Sequence, residues 1–98
     1  MSNVFNFPNP FRATTVFTFE HNQLSAIDAE VKIYTVAGRL IQTVKKTDIT
    51  VSFVQLPWDG LDRDGDPIAN GVYLYKIIAR TQDERFTGEA IGKLSVTK

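Results

Sequence analysis

The 98-residue sequence contains no cysteine, which excludes a disulfide scaffold and a thiolate metal site. That absence does not fix a compartment, because many exported bacterial domains also lack cysteine. No charge of either sign is in excess: 11 Lys and Arg balance 11 Asp and Glu. A nucleic-acid binder carries a basic stripe, and the only lysine pair is Lys45-Lys46. Polybasic docking to a membrane surface is equally unsupported, and no apolar run approaches the length of a membrane span. Neither an internal repeat nor a low-complexity segment is present, and no stretch shows the period of an amphipathic helix. The opening does not read as a secretory leader either: Met1-Ser2 leads at once into Val4-Phe5-Asn6-Phe7, which is expected to belong to the interior of a folded protein. The expectation is a single domain spanning 1–98, cut from a larger polypeptide.

What is present is β-forming. With 43% apolar and 11% aromatic residues, the chain can bury roughly 60–70% of the surface its unfolded form exposes. The organising stretch is Trp58–Arg80. It opens with the single tryptophan, crosses a turn rich in Asp, Gly and Pro, and enters the strongly β-forming run Val72–Ile78. On a strand Tyr73, Tyr75 and Ile77 point to one face. This run is expected at the centre of a sheet, with Trp58 plugging the core beside it.

Before it, Val4–Phe7 reads as a short edge strand with Phe5 and Phe7 on one face. Pro8-Asn9-Pro10-Phe11 ends its pairing, since proline fixes φ and lacks an N–H, and Phe11 is expected to fold back over the core. Thr14–His21 alternates as a half-buried strand, with Phe17, Phe19 and His21 sharing a face. Asn22–Asp28 reads as a loop, and Ala29–Val36 as a strand with Val31 and Ile33 inward. Val36-Ala37-Gly38-Arg39 is a tight hairpin in which Gly38 takes positive φ. Leu40–Val44 returns antiparallel, and Lys45-Lys46-Thr47-Asp48 reads as a polar connection.

In Ile49–Leu56 two parities compete, which a bulge near Phe53-Val54 would reconcile. Pro57 places that strand at an edge or an end. After Gly71–Arg80 and a reversal at Gln82-Asp83-Glu84, the last segment keeps Phe86, Gly88, Ala90, Gly92, Leu94 and Val96 on one parity. Its glycines mark a bend or the close approach of another backbone. About seven short strands at near-regular spacing define an all-β protein, an immunoglobulin-like β-sandwich of antiparallel strands. A closed barrel satisfies the same count.

The sequence holds little that could perform chemistry. Asp59, Asp62, Asp64 and Asp66 resemble the start of a calcium loop, but the twelfth residue from Asp62 is Tyr73 where an EF-hand needs a bidentate glutamate. A turn stabilised by Asx hydrogen bonds accounts for them better. His21 has Ser25 and Asp28 nearby in sequence without the arrangement of a triad, and a ring hydrogen-bonded to main chain is expected. Tyr34, Tyr73 and Tyr75 could form a sugar-stacking platform only if exposed together, whereas the parity of Tyr73 and Tyr75 argues for core packing. No catalytic, metal or cofactor residue is therefore assigned.

Several motifs, taken in order, carry a resemblance over nearly the whole chain. They are Pro8-Asn9-Pro10-Phe11 with Thr14-Thr15, Val31-Lys32-Ile33-Tyr34 with Gly38-Arg39, Trp58-Asp59-Gly60 and Gly65. Gly71-Val72-Tyr73-Leu74-Tyr75-Lys76-Ile77 and the terminal Gly92-Lys93-Leu94-Ser95-Val96-Thr97-Lys98 complete them. Together they resemble the C-terminal sorting domains of proteins exported by the type IX secretion system of Bacteroidetes and, in fold, the immunoglobulin-like domain of the flagellar hook-capping protein. Pro57 and His21 depart from that pattern, standing where such domains commonly have a strand residue such as Thr and an apolar residue. Phe17-Thr18-Phe19-Glu20-His21-Asn22 also resembles the C-terminal domain of the gingipain-type cysteine peptidase that serves as this system's sortase; a catalytic Cys and His would then lie in the rest of the parent protein.

The resemblance implies a non-catalytic address: export through the periplasm to the outer-membrane surface or beyond, with the translocon, the sortase and the rest of the parent protein as partners. Lys93, Leu94, Val96 and Lys98 are expected to carry translocon recognition through an exposed edge of the last strand, which could also pair two copies as a homodimer. The rival readings are an accessory sandwich that packs on a catalytic domain or binds glycan, and a hook-cap-type assembly domain.

Overall fold

The computed structural model describes residues 1–98. It contains seven strands and no helix: β1 (Ser2–Phe7), β2 (Thr15–Glu20), β3 (Ile27–Thr35), β4 (Leu40–Ile49), β5 (Phe53–Trp58), β6 (Gly71–Thr81) and β7 (Thr87–Val96). They form two antiparallel sheets, β1-β2-β5 and β4-β3-β6-β7. This is the expected immunoglobulin-like sandwich, and two separate sheets with free edges rule out the closed barrel.

Alternation builds the core. Phe17, Phe19, Val54, Leu56 and Trp58 of the smaller sheet face Val31, Ile33, Tyr75, Ile77 and Leu94 of the larger one, all buried. Each such side chain contributes roughly 1.5–3 kcal/mol through its burial. Strand β6 lies between β3 and β7, so the tyrosine-bearing run occupies an interior position. Trp58 belongs to the opposite sheet. Phe17 links the two, stacked on Trp58 at 6.1 Å and tilted against Tyr75 at 4.9 Å between ring centroids. The indole Nε1–H donates to the Leu61 carbonyl at 3.0 Å, satisfying the one polar atom of a buried ring.

Three sequence expectations are corrected. Lys45–Asp48 is not a connection but the continuation of β4 along an edge, where lysines are tolerated because their outward side chains stay in water. The parity conflict is resolved earlier than Phe53-Val54. Asp48 takes φ 59°, the β3–β4 register slips between Ile27↔Ile49 and Ala29↔Lys46, and Ile49 thereby turns into the core. Thr50–Ser52 then carries the chain to the other sheet, where Val54, Leu56 and Trp58 simply alternate.

β1 is the expected edge strand with Phe5 and Phe7 on one face, and that face is the outer one: both are exposed and Asn6 is buried. The third correction concerns Gly92. Its close neighbour is a side chain, not another backbone: Gly92 pairs with Tyr75, and a Cβ there would overlap the Tyr75 ring. The hairpin at Gly38 is as expected, with φ 97° and the Gly38 N–H donating to the Thr35 carbonyl at 2.9 Å.

Candidate functional site

Asn6 explains why β1 turns its polar residue inward. Its amide Nδ2 donates to Thr15 Oγ1 at 3.2 Å, and Thr15 Oγ1 donates to the Pro8 carbonyl at 2.9 Å. Asn6 Oδ1 accepts from Asn9 Nδ2 at 3.1 Å. These bonds shape Pro8–Phe11 into an arch, with cis peptide bonds before Pro8 and Pro10. The arch lies against the last strand.

Contact between the arch and β7 is made by hydrogen bonds that imitate a sheet. Asn9 Nδ2 donates to the Lys93 carbonyl at 3.2 Å, and the Ser95 N–H donates to Asn9 Oδ1 at 3.0 Å. One residue pair further on, the Phe11 N–H donates to the Ser95 carbonyl and the Thr97 N–H donates to the Phe11 carbonyl, each at 2.9 Å. A side-chain amide thus serves as one rung and a parallel bridge between Phe11 and Val96 as the next. Phe11 is buried edge-on to Trp58 at 5.7 Å.

The residues expected to carry recognition therefore divide. Leu94 and Val96 are core residues, 0% and 3% exposed, so their side chains support the strand from within. Lys98 is tied back, its Nζ donating to the Ile68 carbonyl at 2.6 Å and its N–H to Asn70 Oδ1 at 3.1 Å. Lys93 alone presents its side chain outward. The edge of β7 is closed from Lys93 to Thr97 by the arch; beyond it, Thr87, Glu89 and Ile91 offer main-chain groups with no strand partner. An edge of that kind accepts an added strand. The signal for the closure was the Asn-Pro-Phe motif itself, but its partner lies 84 and 86 residues away.

The chemical candidates settle into structural roles. Asp62 Oδ1 accepts from the N–H groups of Asp64 and Asp66 at 2.9 and 3.0 Å, and Asp59 Oδ1 from that of Leu61 at 3.1 Å. These are the Asx bonds of a turn. No three His, Asp or Glu side chains converge as metal ligands would.

His21 uses both ring nitrogens on main chain: Nε2–H donates to the Val51 carbonyl at 2.8 Å, and Nδ1 accepts from the Gln23 N–H at 3.1 Å. Ser25 donates instead to Asp83 and Asp28 accepts from Gln82, so neither meets the imidazole. The N–H of Asp48, with help from Gln82 and Arg80, holds the Asp28 carboxyl below its ordinary value. The Thr81 hydroxyl, the Arg85 N–H and Ser25 do the same for Asp83. Tyr73 donates to the Ala69 carbonyl at 2.7 Å and Tyr75 is buried, so no tyrosine platform forms. Burial raises the Tyr75 phenol. A groove of about 610 Å³ between the edges of β4 and β5 is lined by threonines, Val16, Gln42, Val44, Pro57, Trp58 and Asp59, with Asp59 its single ionisable side chain.

A seven-stranded sandwich without convergent chemistry, stitched through main-chain and amide bonds, defines an immunoglobulin-like module. Residues 3–83 match the FlgD Ig-like domain family, and the chain belongs to that family. It is also similar to part of the dimeric latent PorU of Porphyromonas gingivalis, a crystal structure, at 27% identity and a TM-score of 0.81. That likeness covers 96% of this chain and 9% of the PorU chain. No curated protein matches. The family match ends at Asp83, before β7 begins, whereas the likeness to PorU takes in nearly the whole sandwich.

Proposed function

We propose that this is a non-catalytic domain of a longer polypeptide, directing that polypeptide's export and surface attachment through the type IX secretion system. The observation that carries the reading is the likeness to PorU across 96% of the chain, together with the terminal Lys93–Lys98 motif. The domain acts as a folded address: the sandwich holds β7 in one conformation, and a component of the translocon recognises its outer side. Lys93 and the free main-chain groups of Thr87–Ile91 are the features a partner strand would meet. Cleavage by the sortase and surface attachment follow export.

The rival reading is a hook-cap-type assembly domain, and the FlgD family match at residues 3–83 favours it. A reporter carrying a signal peptide and Ser2–Lys98 separates the two in a host with a type IX system. Surface display that is lost in a translocon-null strain supports sorting. A reporter that stays in the periplasm overturns it. Lys93→Glu, which changes an outward side chain and leaves the core alone, is expected to lower display at least fivefold.

A further inference from the structure

The two outer faces of the sandwich differ in how much charge they carry. The larger sheet turns apolar residues such as Val72, Ile78 and Ile91 outward too, but intersperses them with Asp28, Glu30, Lys32, Lys45, Lys76, Arg80, Glu89 and Lys93, with Lys76 and Glu89 paired at 3.4 Å. The smaller sheet presents Phe7, Val16 and Pro57 in one row, Phe5 and Gln55 on either side of a covered Thr18 in the next, and Glu20 with Phe53 in the third. Its only charge is Glu20, whose carboxylate is already taken by the Asn3 amide. Phe7, Phe5 and Phe53 are 70%, 46% and 44% exposed. An antiparallel sheet with one solvated face ordinarily turns polar residues outward, and three exposed phenylalanines with a single, already paired charge depart from that.

We propose that this face docks on a preceding domain of the same polypeptide that offers an apolar surface. The inference rests on the reading of the chain as one domain of a longer protein. Three observations choose that occupant. Three strands at roughly 4.8 Å and five residues at roughly 3.3 Å make a face of roughly 240 Å². A free-standing pair of proteins needs about 800 Å² from each partner, so a second copy would not be held by this face alone. A tethered neighbour is held at an effective concentration in the millimolar range by a short linker, and a small apolar face then suffices. The second observation is that the chain enters through β1, the strand that supplies Phe5 and Phe7, so anything joined ahead of Ser2 is delivered to this side. The third is that the similar region of PorU is only 9% of that polypeptide, leaving most of such a chain available to cover it.

Hydroxyl-radical footprinting of the full-length parent polypeptide tests the assignment. Ile91, 73% exposed on the other sheet, is the internal reference. After correction for intrinsic reactivity, Phe5, Phe7 and Phe53 are expected to be modified at least fivefold less than Ile91. The double variant Phe7→Ser/Phe53→Ser is expected to speed proteolytic cleavage ahead of Ser2 about tenfold. Phenylalanines as reactive as Ile91 would overturn the inference, and so would protection that vanishes on dilution, which would assign the face to a second copy. A parent exported normally with unprotected phenylalanines sinks this inference and leaves the sorting reading standing; protected phenylalanines in a parent that is not exported do the reverse.

Discussion

Replacing Asn9 by alanine tests the closure of the terminal strand. The substitution removes the donor to the Lys93 carbonyl and the acceptor for the Ser95 N–H, and with them the bond to Asn6. A typical intramolecular hydrogen bond contributes about 0.5–1.5 kcal/mol net, because water replaces what is lost. The two rungs to β7 lie at an exposed edge where water has access. Their loss should therefore cost about 1–2 kcal/mol, well short of the 3–5 kcal/mol expected for removing a buried phenylalanine such as Phe11. For a domain of this size that lowers the melting temperature by about 4–8 °C per kcal/mol. Denaturant unfolding should show a shifted midpoint with an unchanged slope.

Amide exchange gives the sharper reading. The Ser95 N–H, which donates to Asn9 Oδ1, should exchange about tenfold faster or more, while the N–H groups of β7 that face β6 stay protected. Asn9→Asp keeps an acceptor for Ser95 but has no amide to give Lys93, so it should fall between the two. An alanine variant whose Ser95 exchange and unfolding midpoint match the parent would refute the closure.

Gly92→Ala should destabilise by about 1–3 kcal/mol, the usual cost of overpacking, because the new methyl must displace the buried Tyr75 ring; an unchanged denaturation midpoint would contradict the contact. Asp62→Ala should cost about 1–2 kcal/mol through its two main-chain bonds, and the parent's melting temperature should be indifferent to calcium or EDTA; a calcium-dependent rise would replace the turn reading with a metal site. Asp28 and Asp83 carry carboxyls lowered from an ordinary 3.8. The unfolded state binds more protons at these positions, so their stabilisation is fully present above that value and is lost as pH falls through the lowered folded values. In acid unfolding between pH 2 and 5, Asp28→Asn/Asp83→Asn should flatten the decline in stability, and superimposable curves would show that the two carboxyls are not held down.

Where local pattern and long-range packing agree, the sequence was readable. The alternation of Tyr73, Tyr75 and Ile77 placed β6 correctly because both faces of an interior strand obey the same period. Pro57 pointed to an edge strand, and β5 is one. The polar run Lys45–Asp48 misleads because an outward-facing edge strand and a loop select the same residues. At Asp48 the bulge depends on partners in other segments: Asp28 Oδ1 accepts the Asp48 N–H at 3.0 Å, and Gln82 reaches both carboxylates. Phe5 and Phe7 share a face of an edge strand as their alternation indicates, but nothing local says which face it is. The inner side goes to Asn6, whose buried amide holds the arch. As for the candidate site, the two motifs that form it were visible separately. Their pairing was not, since nothing local in either one encodes a partner at the other end of the chain.

That pairing makes the native state a record of synthesis. A polypeptide leaving a ribosome or a pore with its N-terminus first has Asn9 and Phe11 in place long before Lys93–Thr97 emerges. Until then one flank of the sandwich has no wall, and Phe11 has no Val96 to pair with. A chain that stops at Val96 lacks the bond from the Thr97 N–H to the Phe11 carbonyl, so any machine that responds only to the closed form is in effect checking that β7 and the residue after it have been made.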